Sequence, residues 1–212
     1  MKYSQIAASL FLVCSAVAAP FDSTSNVEAR DGSAASIVSA IVSSTASCGA
    51  TDTECRTPAQ AAPYLIAAMS KYGITNTGEI AGVLALMAFE SVDFKYKHNI
   101  SPGRPGQGTA NMQMFDYNLE YAQSITELSA KVSALGTITT DDQKNQLLAL
   151  VTDDNYNFGS GPWFYTTKCA SARSALQQGT DAGFAAYMSC VGVTVTDDRS
   201  AYWTRAKQAF GL

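Results

Sequence analysis

Three observations on this sequence predict a mainly α-helical fold in a single domain. Helix-start residues precede apolar side chains at helical spacing, as where Thr57 and Pro58 open a stretch that closes at Gly73. The run Ile80–Phe89 is apolar on every side, which is typical of a helix buried all round. Glycine and proline fall mainly between such stretches. We therefore expect about seven or eight helices with little or no β-structure.

The first half of the chain contains three of the expected helices. Residues 33–46 place apolar side chains at helical spacing. Residues 57–73 follow, with Thr57 as the N-cap. The third helix begins at Asn76 or Thr77 and contains the fully apolar run. The second and third starts each provide a side-chain oxygen for the free backbone N–H groups of a first helical turn.

Helical patterns also fill the second half of the chain. Thr140 and Gln143 have the spacing of a capping box, which predicts a helix from residue 141. Only residues 191–195 have the composition of a strand. Further helical stretches are expected at 114–136, at roughly 170–190 and at roughly 197–210.

The N-terminus has the pattern of a secretory signal peptide. One lysine precedes an apolar stretch, Ile6–Val17, and small residues follow, so cleavage is expected after Ala19. Residues 20–32 are polar and aperiodic, and are either a short pro-segment or a disordered tail. We expect a secreted, extracellular protein, free or associated with a cell wall, whose folded domain covers residues 33–212.

Charge and hydropathy argue against several classes of partner. The chain carries 14 basic and 18 acidic residues, so it lacks the basic face that binding to nucleic-acid phosphates requires. Beyond the signal peptide, no segment reaches the roughly 18 uninterrupted apolar residues of a membrane span. We therefore expect a monomer with neither a nucleic-acid nor a membrane partner. A neutral polymer suits the mildly acidic balance better.

The cysteines predict two disulfides. Cys14 leaves with the signal peptide, and four cysteines remain, an even number in an oxidising compartment. Four cysteines permit three pairings, of which the local one, Cys48–Cys55 with Cys169–Cys190, closes two short loops. A zinc site is the alternative, but no CxxC spacing is present and the single histidine is distant in sequence. We expect no metal.

Motifs for nucleotide, metalloprotease and triad chemistry are missing from this sequence. It contains no P-loop, no GxGxxG and no HExxH. His98, the single histidine, lies in a polar loop and is expected at the surface. Asn99 begins an Asn-Ile-Ser glycosylation sequon, although Pro102 follows closely. Carboxylate chemistry remains, and no cofactor is expected.

Glu90 is the candidate catalytic group. It ends the apolar run beside Phe89 and Val92, where partial desolvation favours a neutral, protonated carboxyl group. Such a group can donate a proton to a glycosidic oxygen. The alternative is an ordinary glutamate at a solvated helix end.

Three short motifs in this chain occur in the order found in one family. They are Glu90-Ser91 at a helix end, Met112-Gln113 after a Gly-containing loop, and Tyr156-Asn157-x-Gly159. Together, over residues 75–165, they resemble the catalytic domain of lytic transglycosylases and goose-type lysozymes, in the lysozyme-like superfamily. The long loop before Met112 and the residues Ala110-Asn111 depart from that pattern, which indicates a divergent secreted branch of fungal type.

The resemblance implies a lysozyme-like domain and a secreted glycan-cleaving enzyme. The substrate would be a β-1,4-linked N-acetylhexosamine polymer, peptidoglycan first and chitin or chitosan second. Glu90 would be the general acid, and Gln113 would bind the sugar. The other substrate-binding candidates are Ser91, Tyr156, Asn157 and Trp163.

The resemblance leaves the mechanism and a second function open. A lytic transglycosylase needs one acid, whereas a muramidase-type hydrolase needs a second carboxylate, for which Asp116 and Asp93 are the candidates. The second function is a non-enzymatic glycan-binding or cell-wall protein that keeps the groove. Met112 and Met114, on either side of Gln113, are expected in the core.

Overall fold

A computed structural model describes residues 33–42 and 44–212 of the 212-residue chain. The predicted signal peptide, 1–19, and the predicted pro-segment or tail, 20–32, lie outside the described residues. The described part of the chain is mainly α-helical, which confirms the predicted fold class.

The helices are numbered here along the described chain. They are α1 (33–41), α2 (Pro58–Lys71), α3 (Thr77–Glu90), α4 (Phe115–Gln123), α5 (Ser129–Ala134), α6 (Asp141–Val151), α7 (Asp154–Asn157), α8 (Ser160–Lys168), α9 (Arg173–Leu176), α10 (Asp181–Val191) and α11 (Asp197–Phe210). Single 3-10 turns, Thr126–Leu128 and Ala170–Ala172, precede α5 and α9. The helices outnumber the expected seven or eight because α5, α7 and α9 are only 6, 4 and 4 residues long.

The central helix of the domain is α3. Its residues Ala81–Ala88 are all buried, which confirms a helix surrounded by protein. Helix α11 packs along it, and α8 crosses it closely at Gly161. A Cβ atom at Gly161 would lie 2.5 Å from the Sδ atom of Met87, so glycine permits this close crossing without displacing the Met87 side chain. Glu90, the last residue of α3, therefore lies where the core meets the surface.

The predicted helix starts are confirmed by their hydrogen bonds. Thr57 Oγ1 accepts from Gln60 N at 3.3 Å, and Gln60 Oε1 accepts from Thr57 N at 2.9 Å. Asn76 Oδ1 caps α3 by accepting two backbone N–H bonds. Thr140 and Gln143 form the predicted capping box at α6. These local signals position α2, α3 and α6 without reference to the rest of the chain.

Two stretches predicted as continuous helices are interrupted. Residues 114–136 divide after α4, because Ile125 takes an extended conformation (φ −100°, ψ 109°) and points into the core. Residues 170–190 divide at Gly179, whose φ is 64°. Apolar spacing continues across the first break, so periodicity alone does not reveal it.

The candidate strand at 191–195 is wrong. Gly192 ends α10 in a left-handed conformation, and residues 193–195 pair with no strand. In the described ranges, the β-type pairing consists of two isolated bridges, His98–Gly108 and Gly108–Gln113.

Both disulfides form in the predicted pairing. Cys48 and Cys55 are joined with Cα atoms 5.8 Å apart, and Cys169 and Cys190 with Cα atoms 5.7 Å apart. The first fastens the loop before α2, and the second joins the end of α8 to the end of α10. The four thiols are taken up in these bonds rather than in the alternative zinc site.

Candidate binding cleft

A cleft with a volume of 180 Å³ opens at the C-terminal end of α3. Gln107 and residues 111–114 line it from the loop after α3, and Val191, Val193 and Arg199 line it from the end of α10 and the start of α11. Glu90 and Gln113 both line it, so the long loop after α3 does return the chain to face Glu90.

Backbone hydrogen bonds fix the returning segment. Gly108 N donates to Gln113 O at 3.1 Å, and Thr109 N donates to Lys97 O at 2.7 Å. A Cβ atom at position 108 would lie 2.3 Å from Lys97 O, so this approach of two backbones requires glycine. The position of Gln113 is thus set by main-chain contacts, which leaves its side chain available to the cleft.

The Glu90 carboxylate is bound by Arg199. Arg199 Nη2 donates to Glu90 Oε1 at 3.0 Å, and the two side chains are only 15% and 22% exposed. The guanidinium group also lies 4.4 Å from the centroid of the Phe89 ring. The sequence predicts apolar surroundings for Glu90, and these are wrong because α11 brings the guanidinium group of Arg199 to the end of α3.

Asn111 and Gln113 form a buried amide pair beside this ion pair. Asn111 Nδ2 donates to Gln113 Oε1 at 3.2 Å, and the two residues are only 8% and 5% exposed. Their other polar atoms, Asn111 Oδ1 and Gln113 Nε2, have no hydrogen-bond partner among the described residues. The pair therefore contains one buried unpaired acceptor and one buried unpaired donor.

This result does not depend on which way the two amides are turned. If both groups are rotated, Gln113 Nε2 donates to Asn111 Oδ1, and the unpaired atoms become Asn111 Nδ2 and Gln113 Oε1. One donor and one acceptor remain in either orientation. Two further buried atoms lining the cleft, Gln107 Oε1 and Arg199 Nε, also lack a partner within the described ranges.

The rest of the cleft is apolar or aromatic. Met112 and Met114 line it, and Met114 is 44% exposed, so the prediction that they belong to the core is wrong. The reason is local, because Met112 has a φ of 47° and the chain turns there. The remaining apolar and aromatic lining residues are Leu86, Tyr117, Phe164, Val191 and Val193.

Two predicted site residues next to Glu90 are turned away from the cleft. Ser91 is fully buried; its Oγ donates to Met87 O at 2.7 Å and accepts from Phe94 N at 2.9 Å. Asp93 is also buried and accepts a hydrogen bond from Tyr202 Oη at 2.6 Å. Both side chains hold the turn that follows α3.

The other predicted site residues lie elsewhere. Trp163 packs in the core against Tyr121, with ring centroids 5.3 Å apart. Asn157 is buried in α7, and the Tyr156 carbonyl accepts from Tyr121 Oη at 2.7 Å. Asp116 is exposed in the first turn of α4. None of these four lines the cleft.

Sequence reasoning missed three of the polar groups that build the cleft. Asn111 and Gln107 lie in the long loop after α3, where no motif or periodicity marks a polar side chain for the cleft. Arg199 has no signal near Glu90, since 109 residues separate the two. Asn111 lies two residues before Gln113, and the turn at Met112, whose φ is 47°, brings the two amides together.

A second cavity, of 510 Å³, adjoins the first at Gln107, which lines both. It also contains Glu54, His98 and Arg104. His98 Nδ1 lies 2.5 Å from Glu54 Oε1, and the ring is 48% exposed, consistent with a surface histidine. Asn99 lines this cavity as well, and its Oδ1 accepts backbone hydrogen bonds from the loop.

A third, largely aliphatic cleft of 660 Å³ lies beside the first half of α3. Helices α1 and α2 form its other walls, with Val38, Leu65 and Ile66 among the lining residues. Its polar lining is confined to Ser70 and Thr75. It therefore offers little hydrogen bonding to a ligand.

Neither a metal-binding cluster nor a membrane-spanning helix occurs among the described residues. The described ranges contain no group of three or more His, Cys, Asp or Glu residues placed to hold a metal ion. No helix in them has the length and hydropathy needed to span a bilayer.

Comparison with known proteins gives one relative. No protein-family profile and no solved structure matches the chain. A curated relative, the bifunctional dioxygenase (DOX)-epoxy alcohol synthase (EAS) of Fusarium oxysporum (strain Fo5176), is 52% identical over 157 residues. The match covers 72% of this chain and 12% of the relative, so the chain corresponds to a small part of that protein.

This relative corrects the family and the function inferred from the motifs. It is named for a dioxygenase and an epoxy alcohol synthase, so the resemblance to lytic transglycosylases and goose-type lysozymes is wrong, as is the glycosidase activity. The peptidoglycan or chitin partner and the glycan-binding alternative are overturned by the same finding. In the structure Glu90 is bound to Arg199, and neither Asp93 nor Asp116 lines the cleft, so neither is placed as the second carboxylate of a hydrolase.

Proposed function

We propose that this chain binds a small aliphatic molecule that carries a hydroxyl group and an epoxide oxygen, and holds it in the cleft between Glu90 and Gln113. The observation that carries the proposal is the buried amide pair, which leaves one donor and one acceptor unpaired. A buried polar atom without a partner costs about 1–3 kcal/mol. A ligand that pairs both atoms gains that free energy on binding.

The chemistry of an epoxy alcohol matches these two atoms. A hydroxyl group both donates and accepts hydrogen bonds, whereas an epoxide oxygen only accepts. In the orientation described, the hydroxyl donates to Asn111 Oδ1, and the epoxide oxygen accepts from Gln113 Nε2. Neighbouring carbons of the ligand then contact Met112 and Phe164.

The ion pair in the cleft favours a neutral group over an ion. Arg199 already neutralises Glu90 at 3.0 Å, so neither charge is left to attract a ligand ion strongly. Burying an additional charge beside such a pair costs more than burying a hydroxyl group. The cleft therefore suits a neutral oxygenated ligand with an aliphatic body.

The relative supports the same class of ligand. Its name includes an epoxy alcohol synthase, and 157 residues of this chain align with it at 52% identity. Because those residues are 12% of the relative, we propose a binding role for this segment within that chemistry. The residues of the cleft bind and orient the ligand through its oxygen atoms.

The test is a calorimetric titration of the folded protein with a short aliphatic epoxy alcohol and with the alkane of equal length. We expect the epoxy alcohol to bind and the alkane to bind at least tenfold more weakly, about the worth of one good hydrogen bond. The double variant Asn111→Leu with Gln113→Met should remove this preference. It should keep its thermal midpoint, because replacing both polar partners by apolar side chains removes buried unpaired atoms.

Two controls locate the binding. Gln177→Met changes an exposed amide outside the cleft and should leave the titration unchanged. Ile66→Ser changes the aliphatic cleft beside α1 and α2 and should also leave it unchanged. The proposal is overturned if the unaltered protein does not bind the epoxy alcohol. It is also overturned if Ile66→Ser loses binding while the double variant keeps it.

A further inference from the structure

The segment that follows Cys190 forms one side of the Glu90 cleft. Val191 and Val193 line the cleft, and both are half-buried. Across residues 189–198, no residue is buried, so side-chain packing contributes little to holding this segment in place. The width of the cleft therefore depends on the other contacts that fix this segment.

A covalent bond and a hydrogen bond hold the segment at two points. At the first, Cys190 is bonded to Cys169 at the end of α8. At the second, Arg199 Nη1 donates to Thr194 O at 3.4 Å, a long hydrogen bond from the guanidinium group that also binds Glu90. The disulfide is the stronger of these two constraints.

The disulfide joins two helices that each contribute a residue to the lining of the cleft. These residues are Phe164 of α8 and Val191 of α10. Cys169 directly follows α8, and Cys190 directly precedes Val191. Breaking the bond therefore allows the Val191 side of the cleft to move relative to the Phe164 side.

The bodies of α8 and α10 stay in contact by other means. The rings of Tyr165 and Tyr187 lie with their centroids 5.0 Å apart, and both side chains are fully buried. Loss of the disulfide is therefore expected to release the end of α10 and the segment after it, while the two helices remain packed.

Solvent reaches this disulfide through Cys190. Cys190 is exposed, whereas Cys169 is fully buried. Thiol–disulfide exchange begins when a thiolate attacks a sulfur atom that it can reach. The other disulfide differs in place and in access, because Cys48 is half-buried, Cys55 is buried, and neither of them lines the cleft.

We propose that reduction of the Cys169–Cys190 disulfide by a small dithiol opens the Glu90 cleft, so that the redox state of this bond controls binding there. One thiolate of the dithiol attacks Cys190 Sγ, the S–S bond breaks, and Cys169 Sγ leaves with the electron pair and takes a proton. The second thiol then displaces Cys190 Sγ, which also takes a proton, and the dithiol becomes a cyclic disulfide. The consequence for ligand binding rests on the proposed function of the cleft, and the movement of the segment does not.

Hydrogen exchange followed by mass spectrometry tests the movement, on the full chain before and after treatment with dithiothreitol. Gly192 N donates to Ser189 O at 3.1 Å and Val193 N to Met188 O at 3.0 Å, so these two amides report on the end of α10. We expect them to exchange at least about tenfold faster after reduction, while the amides of α3 keep their protection. Reoxidation should restore the slow exchange.

Two paired variants assign the effect to one bond. Cys169→Ala with Cys190→Ser should show the fast exchange without any reductant. Cys48→Ser with Cys55→Ala keeps the Cys169–Cys190 bond, so exchange at the end of α10 should stay slow until dithiothreitol is added. In calorimetric titrations of the same samples, the epoxy alcohol should bind about tenfold more weakly wherever the Cys169–Cys190 bond is absent.

The outcomes separate this proposal from the function on which its second part rests. Unchanged exchange at Gly192 and Val193 after complete reduction overturns the proposal, as does an increase that extends equally to α3, since the bond then supports the whole fold. If exchange rises but the oxidised and reduced proteins bind the epoxy alcohol equally, the disulfide does not control the cleft and the proposal fails, while the proposed function stands. If exchange rises and neither form binds, the proposed function fails and the opening of the segment stands.

Discussion

Val92, Asp93 and Phe94 form a left-handed turn directly after α3, with φ angles of 53°, 60° and 63°. For residues other than glycine, this conformation costs about 1–2 kcal/mol each, because Cβ approaches a carbonyl oxygen. Hydrogen bonds hold the turn in place: Asp93 accepts from Tyr202 Oη at 2.6 Å, and its carbonyl accepts from Thr45 Oγ1 at 2.7 Å. Strain is thus stored beside the proposed binding cleft.

We expect Val92→Gly to raise the free energy of unfolding by about 0.5–1 kcal/mol. The Val92 side chain is 51% exposed, so little burial is lost, and glycine takes positive φ without a Cβ clash. The gain is smaller than the strain because glycine also increases the entropy of the unfolded chain. Thermal and denaturant unfolding of the variant measure the change.

Gly136→Ala is the opposite control. Gly136 has a φ of 61°, and a Cβ atom there would meet no atom within 4 Å, so the substitution adds only a backbone cost. It should destabilise the protein by a similar amount. If Val92→Gly also lowers the free energy of unfolding, the left-handed conformation at position 92 does not carry the strain assigned to it.

At this scale, the sequence was informative for Glu90 and Gln113 and uninformative for their partner. A helix end followed by a Gly-containing return loop brings Glu90 and Gln113 together, and that information is local. Arg199 reaches Glu90 only because α11 packs along α3. No pattern within either segment specifies that packing, so the ion pair could not be predicted.

Among the elements, the four-residue helix α7 depends on charges from two other segments. Asp154 Oδ2 accepts from Arg56 Nε at 2.7 Å, and Asp154 Oδ1 accepts from Lys97 Nζ at 2.6 Å. Burial alone would raise the pKa of Asp154, but the hydrogen bonds from Lys97 and Arg56 hold that pKa below its ordinary value of 3.8. The carboxylate therefore stays ionised in the folded protein at a pH where the unfolded chain already binds a proton.

This depressed pKa predicts a loss of stability in acid. The contribution of Asp154 is fully present above the ordinary aspartate pKa and declines as pH falls through the lower, folded value. We expect Asp154→Asn to cost about 1–2 kcal/mol at neutral pH, a reduced value because the group is partly in water. Between about pH 5 and about pH 2.5, the thermal midpoint of the variant should also fall by less than that of the unaltered protein.

Asp142→Asn removes the same charge from an exposed position in the first turn of α6. Its midpoint should follow that of the unaltered protein across the pH series. Parallel curves for Asp154→Asn and Asp142→Asn would show that the contacts with Lys97 and Arg56 contribute nothing specific.

Elements with their own start signals were predictable, and elements shaped by packing were not. The caps at Thr57, Asn76 and Thr140 depend on side chains a few residues away, so the sequence contains the whole cause. The break at Ile125 has another origin: the residue leaves the helical conformation, and its side chain is buried in the core. Where α4 ends therefore depends on α6 and α8, which pack on it.

For the whole molecule, the fold class could be predicted from the sequence, but the protein family could not. Three motifs of two or three residues each, spread over 75–165, indicated a glycan-cleaving family. A glutamate at a helix end and a glutamine on a return loop are also common products of helix packing. Glu90, Met112 and Gln113 of the first two motifs do line one cleft, whereas Tyr156 and Asn157 of the third do not. The family that the motifs suggest is contradicted by a relative with 52% identity.

The burial of α3 has a consequence for the chain before it folds. In the folded protein, Glu79 and Glu90 flank the apolar run of α3; Arg173 Nε binds the first at 2.7 Å, and Arg199 Nη2 binds the second at 3.0 Å. In the unfolded chain, the same two glutamates border ten apolar residues, where negative charges oppose self-association. They would act as gatekeepers during synthesis and refolding.

We therefore expect Glu79→Gln with Glu90→Gln to aggregate faster on dilution from denaturant, with light scattering rising at lower protein concentration than in the unaltered chain. Arg173→Gln with Arg199→Gln breaks the same two ion pairs but keeps both acidic flanks, so its scattering should not increase. A third variant, Asp197→Asn with Asp198→Asn, matches the first in net charge and lies far along the chain from the apolar run. Equal aggregation in the glutamate and arginine variants would mean that lost stability alone drives it, and that the two acids protect only the folded molecule.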